Sequence, residues 1–265
     1  MIPTMKAEFR KLLTVRSTYV ISLVFLLLAG FLAFYVQGFK NSADLNLTNG
    51  TARFFVAGTI TQIADTLAVA GALIALLLLA HEYRYNTIVY TLTTSNSRSK
   101  VMASKIVAIL VYVFIFALAA AAIVLGLIWA GVAASGHSIP HQDISYLTYL
   151  AKTIFLCEAD AMAGLLFISL IRNQVGAIAA LFIIPNTVEG LLSLLLKHNS
   201  IYMPFTALQQ VIQPPVVNGI AASHRTRDMT TGYLSAPRGA LVFLAYLIVG
   251  WIITWYLFLR RDATT

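Results

Sequence analysis

The chain has 265 residues, of which 59% are hydrophobic and only 11% charged, where a soluble domain carries roughly 25% charged residues. Mean hydropathy is +0.83. These figures exclude a disordered chain, a nucleic-acid-binding domain and an ordinary cytosolic enzyme, and they point to a protein solvated mostly by lipid. The net charge of +8 then reads as a topology signal, because Lys and Arg concentrate in the cytoplasmic loops of membrane proteins. The single cysteine, Cys157, cannot close an internal disulfide. It lies in an apolar run and reads as a small packed side chain.

The first element is a short N-terminal helix. Met5, Phe9, Leu12 and Leu13 recur at helical spacing on one face, and Lys6, Arg10 and Lys11 occupy the others. This pattern predicts a basic amphipathic helix lying on the inner membrane surface, an elbow leading into the first span. A helix needs about 20 mainly apolar residues to cross the hydrocarbon core. Six runs meet that length: residues 19–39, 56–80, 105–134, 147–171, 174–196 and 240–259. The first is too long for a signal-peptide core and lacks a clean cleavage site, so it reads as a retained span. The third exceeds a simple crossing, which predicts tilt or an extension beyond the bilayer. The fifth carries Pro185 in its middle, a position where the helix ladder loses a donor. The fold class is therefore all-α: one polytopic transmembrane domain over residues 1–265, with six spans and little chain left for a soluble catalytic domain.

Orientation follows from the basic residues. Lys6, Arg10, Lys11 and Arg16 precede span one; Arg84, Arg98, Lys100 and Lys105 lie between spans two and three; Arg172 sits in the turn after span four; Arg260 and Arg261 close the tail. All fall on one side, which places both termini in the cytoplasm. The longest outer loop, 197–237, contains Pro204, Pro214 and Pro215. Its partly apolar stretch 205–212 predicts a short re-entrant or interfacial helix, admissible at membrane depth only where protein or water surrounds it.

The loop after span two is the most distinctive inner segment. Ile88, Leu92 and nearby tyrosines form one apolar face of a short helix, and Ser95-Asn96-Ser97 reads as a turn. Such a helix can dock into a groove of another protein or serve as a solvated connector. The segment resembles the corresponding loop of type-2 ABC exporter permeases. There, an acidic and a basic residue end span two, Gly-Thr-Ile and Thr-Leu follow, and then come a Pro-x-Arg turn and a Lys opening span three. Glu82, Arg84, Thr87-Ile88, Thr91-Leu92, Arg98 and Lys105 match in order. The N-terminal segment, with Glu8-Phe9-Arg10-Lys11-Leu12 followed by Thr14-Val15-Arg16-Ser17-Thr18, looks like that of actinobacterial members. Asn86 stands where Gly is usual, and no Pro precedes Arg98; Asn tolerates a left-handed backbone better than most residues.

The resemblance implies a permease subunit of a bacterial plasma-membrane exporter, built from two permease copies and two ABC ATP-binding subunits. It makes the loop 82–98 the coupling helix on the ATPase, with Phe9, Leu12 and Leu13 anchoring the elbow beside it. It leaves this chain without a cofactor, ATP and Mg being bound by the partner. The lack of a Gly-x-x-x-x-Gly-Lys-Ser/Thr motif in this chain agrees with a separately encoded ATPase.

Four carboxylates fall within the predicted spans: Asp65, Glu158, Asp160 and Glu189. Such groups are costly in hydrocarbon and usually face a bundle interior or a wet cavity. In the resembling family, spans two and five line the central path, which makes Gln62, Asp65, Asn186 and Glu189 the candidate path residues. The alternative for each is a protonated or hydrogen-bonded structural role. Competing functions are an ion- or proton-coupled secondary transporter, for which no convincing internal repeat speaks, and a non-transporting membrane anchor. An intramembrane hydrolase finds no Gly-x-Ser-x-Gly motif, and all five histidines fall in loops or at span ends. His137 and His141 are four apart, but Pro140 between them breaks the helix a metal pair would need.

Overall fold

A computed structural model describes residues 2–14, 16–43, 49–85, 98–138, 145–212 and 234–260. Among them the chain is helical, and six helices are long and apolar enough to cross a membrane: Arg16–Lys40, Gly58–Arg84, Ser99–Ala134, Tyr146–Ile171, Gln174–Tyr202 and Ala236–Phe258. Each expected span is present, and the differences lie at the ends. Helix α1, Ile2–Thr14, precedes the spans. Its buried face is not quite the one the apolar pattern marks. Glu8 and Leu12, one turn apart and so on the same side, are buried, and Phe9 packs against the core. Leu13 is 58% exposed. Leu13 lies at the flank of the stripe, and the inward position goes to a carboxylate that has a partner inside.

Span one is helix α2, Arg16–Phe31, continued by a π-helical run over Leu32–Lys40. A π run widens the helix by one residue per turn and is uncommon outside functional or tightly packed sites. Here it meets span three, helix α4 (Arg98–Ala134), at a crossing without side chains. A Cβ on Gly131 would lie 2.3 Å from the Phe34 carbonyl oxygen, and one on Gly38 would lie 2.9 Å from the Gly131 Cα. At 37 residues and about 1.5 Å per residue, α4 outruns a hydrocarbon core of about 30 Å. Relative to the expected run 105–134, the added length lies at the N-terminal end, where α4 begins seven residues before Lys105.

The centre of the bundle is helix α3, Asn49–Arg84, packed along helix α5, Tyr146–Ile171. Small residues let the two backbones approach, as is usual where no water-driven force holds helices together. A Cβ on Gly164 would be 2.6 Å from the Ala72 carbonyl oxygen, and one on Gly71 would be 3.1 Å from that of Cys157. Cys157 is fully buried in this seam. Leu67, Ile74, Leu76, Leu79, Leu156, Leu165 and Ile168 complete the core around it.

Helix α5 stops at Arg172, whose φ of 55° is left-handed. Asn173 then caps the next helix by accepting from the Gly176 N–H at 3.0 Å, which gives the tight turn expected between spans four and five. Span five comprises helix α6 (Gln174–Ile183), a π run over Ile184–Val188 that contains Pro185, and helix α7 (Glu189–Leu196). Pro185 does not open the helix. The ladder shifts register, so that the Glu189 N–H bonds to the Ile184 carbonyl, five residues back. The Asn186 amide donates to the Phe182 carbonyl at 2.9 Å, supplying the broken turn locally.

After α7 the chain turns at Lys197, φ 46°, through a 3-10 turn over Lys197–Tyr202 into helix α8, Pro204–Gln209. This short helix re-enters the bundle. Phe205 packs between Phe167 and Phe243, with ring centroids at 6.2 and 5.8 Å. The Thr61 hydroxyl reaches the Ile212 carbonyl at 3.1 Å. Helix α9, Ala236–Arg260, forms span six and lays Gly239 against the Ala207 carbonyl, where a Cβ would come within 2.5 Å.

Candidate functional site

Among the described residues, a polar region lies at each end of the apolar bundle. At the end that carries α1, three helices meet on a buried ammonium. Lys105, on α4, is 3% exposed. Its Nζ donates to both carboxylate oxygens of Glu8 at 2.9 Å and also to Oε1 of Glu82 at the end of α3. The three donors of the ammonium are thereby all used. A second cation, Lys11, lies at the rim, with Nζ 3.5 Å from Glu8 and 3.6 Å from Glu82. Two carboxylates and two ammoniums balance in formal charge, and the buried pair is offset by direct contacts.

The cluster joins residues far apart in the chain and pins α1 to the start of span three and the end of span two. Beside it opens a cavity of about 350 Å³. It is lined by apolar Leu12, Leu78, Leu79, Ala108 and Ile109, together with the four charged side chains, Thr14, His81 and Tyr85. Immediately beyond, the His81 and Tyr85 rings stack at 6.0 Å, and the Arg84 guanidinium lies 5.6 Å from the centroid of Tyr85. Arg84 is exposed. Of the expected coupling residues, Thr87, Ile88, Thr91 and Leu92 lie outside the described residues, as does the Arg98 side chain, although Arg98 opens helix α4. Glu8, Lys11 and Lys105 were not among the candidate site residues. Their signal was present as three charges beside apolar stretches, but its meaning needed the tertiary contact.

The opposite end holds the candidate path residues, and they divide into two groups. Gln62 is exposed on α3 and accepts from the Gln37 amide, which in turn accepts from Asn41 at 2.8 Å. Asp65 lies one turn further along α3, within electrostatic range of Asp160 on α5. Asn186 is exposed on span five. Glu189 is different. It is buried, and both of its oxygens are engaged by the re-entrant helix: Oε1 accepts from the Phe205 N–H, and Oε2 from the Thr206 N–H and hydroxyl, each at 2.8 Å. Glu189 thus caps α8 from another helix, satisfying donors that a first turn leaves orphaned. Among the described residues, no three His, Cys, Asp or Glu side chains converge as metal ligands.

This arrangement offers a membrane bundle with a charged knot at one end and a folded-in hairpin at the other. No curated protein matches the chain. The family model for ABC-2 family transporter proteins matches residues 2–263, from helix α1 to the tail. The resemblance carried by Glu82 to Lys105 therefore extends over nearly the whole sequence, and the chain belongs to the ABC-2 transporter family, as a multi-pass membrane permease.

Proposed function

We propose that the chain is the permease half of an ATP-driven exporter. Two copies would form the path, and two separate ABC subunits would bind ATP and Mg and drive it. In this reading both termini and the Lys105 cluster face the bacterial cytoplasm, and α1 is the elbow helix. The loop 82–98 is the coupling element, with Glu82, Arg84, Thr87, Ile88, Thr91, Leu92 and Arg98 meeting the ATPase. The observation that carries this is the placement of Glu82. It belongs at once to the last turn of α3 and to the buried cluster that holds α1 and α4. A push on the loop at Arg84 would thus move three helices as a unit, which is what a two-state switch between access states needs.

Gln62, Asp65 and Asn186 are our path residues, with Gln62 and Asn186 exposed on the single chain, as expected for groups that face a second copy or a wet lumen. Glu189 acts on the path through the hairpin it holds. The electrostatic interaction between Asp65 and Asp160, carboxylates on two different spans, favours the second reading, proton-coupled transport without an ATPase. Purifying the chain with its ATPase separates the two. Replacing Glu82 with Ala should leave ATP hydrolysis measurable but lower coupled transport at least about tenfold, the loss of a contact worth about 1.4 kcal/mol. Transport that persists without any ATPase and follows the proton gradient would favour the second reading.

A further inference from the structure

We propose that the cavity beside the charged cluster is a binding site for one phospholipid with a primary-amine headgroup. The inference stands on the lining, and it does not depend on whether an ATPase couples to this end. The cavity, of about 350 Å³, is lined by apolar Leu78, Leu79 and Ile109 together with charged side chains, at the end of the apolar spans. That is the boundary where an acyl chain meets its headgroup.

The charges select the headgroup. Lys105 is buried and saturated by Glu8 and Glu82, so it has nothing left to offer. Lys11 is 47% exposed, and its contacts at 3.5 and 3.6 Å are longer than charge-assisted hydrogen bonds. It is the cation free to donate to a phosphate. Glu82 supplies the opposite requirement. Its Oε1 is used, whereas its Oε2 is buried with no hydrogen-bond partner, a costly state for a carboxylate oxygen. Glu82 lines the cavity, and a turn of its carboxylate toward that space would let a ligand donor relieve the cost. The four side chains sum to zero charge, so a net-anionic lipid gains no advantage from the rim as a whole. A zwitterion that brings phosphate to Lys11 and ammonium to Glu82 matches both. A choline headgroup brings the charge but has no N–H to donate.

The test is native mass spectrometry of the full chain, delipidated and titrated with dioleoyl-phosphatidylethanolamine, its N-methylated series through phosphatidylcholine, and phosphatidylglycerol. Expected is one tightly retained ethanolamine lipid, with affinity falling about tenfold towards choline as N–H donors are lost, the worth of a charged hydrogen bond. Thr14→Trp places bulk at an exposed rim position and should remove the retained lipid while the chain stays monodisperse. Lys11→Met should weaken all headgroups together, whereas Glu82→Gln should abolish the preference for ethanolamine over choline. Soluble glycerophosphoethanolamine should fail to compete at the lipid's own concentration. Equal retention of choline and ethanolamine lipids, tighter retention of phosphatidylglycerol, retention that survives Thr14→Trp, or full competition by the soluble headgroup would each overturn the assignment.

Discussion

Lys105 is the residue on which the end of the molecule that carries α1 depends. A buried ion pair is weak evidence of net stabilisation, because desolvation offsets its attraction, but removing one partner strands the others. Lys105→Met should therefore cost about 3–5 kcal/mol, read as a lowered thermal unfolding midpoint in detergent. Replacing Lys105, Glu8 and Glu82 together with Met, Gln and Gln should recover most of that loss. If the single and triple variants unfold at the same temperature, the cluster is not the unit described. Glu189 invites the same treatment at the other end. Glu189→Ala would leave the Phe205 and Thr206 N–H groups buried without acceptors, at about 1–3 kcal/mol for each stranded donor. Its expected signature is faster proteolysis within residues 197–212, with Glu189→Gln intermediate. A variant that lowers transport with the hairpin as protected as before would return Glu189 to a direct role in the path. The sequence made Glu189 conspicuous as an acid in an apolar span, but not its purpose. Two of its three partners are backbone N–H groups 16 and 17 residues away, and backbone donors leave no mark in composition.

At the scale of the element, the spans were legible because lipid imposes both length and hydropathy, and all six are found where the apolar runs lie. Their ends were less so. Helix α4 continues outward through Arg98-Ser99-Lys100, residues that hydropathy assigns to a loop, because a helix outside the core needs only its own hydrogen bonds. Crossing points were invisible for another reason. Glycines at Gly131 and Gly126 look alike in sequence, yet the first abuts the Phe34 carbonyl and the second meets open space. Gly131→Val should thus force spans one and three apart, at about 1–3 kcal/mol or more for overpacking, whereas Gly126→Val should leave the unfolding midpoint unchanged. Equal effects would show that the π run over Leu32–Lys40 does not depend on this contact. The same distinction explains Leu13, which periodicity places with Leu12 but the fold leaves outside, since a stripe's edge is decided by what stands opposite.

For the whole molecule, the candidate site was half readable. The motif from Glu82 to Lys105 pointed to an ATP-driven permease, and the family match over residues 2–263 agrees with that reading. What the motif did not convey is that its first and last charges touch, and that Glu8 of the N-terminal helix closes the contact from 97 positions away. Helix α1, span two and span three are therefore tied together at one cluster, and in the proposed reading the loop 82–98 is where the ATPase engages it. The most direct test of the account is photo-crosslinking from p-benzoylphenylalanine placed at position 92, in the loop, or at position 235, at the opposite end of span six, in the complex purified with its ATP-binding subunit. The account predicts a crosslink to the ATPase from position 92 and none from position 235. An intact complex that crosslinks from position 235, or fails to do so from position 92, would contradict it.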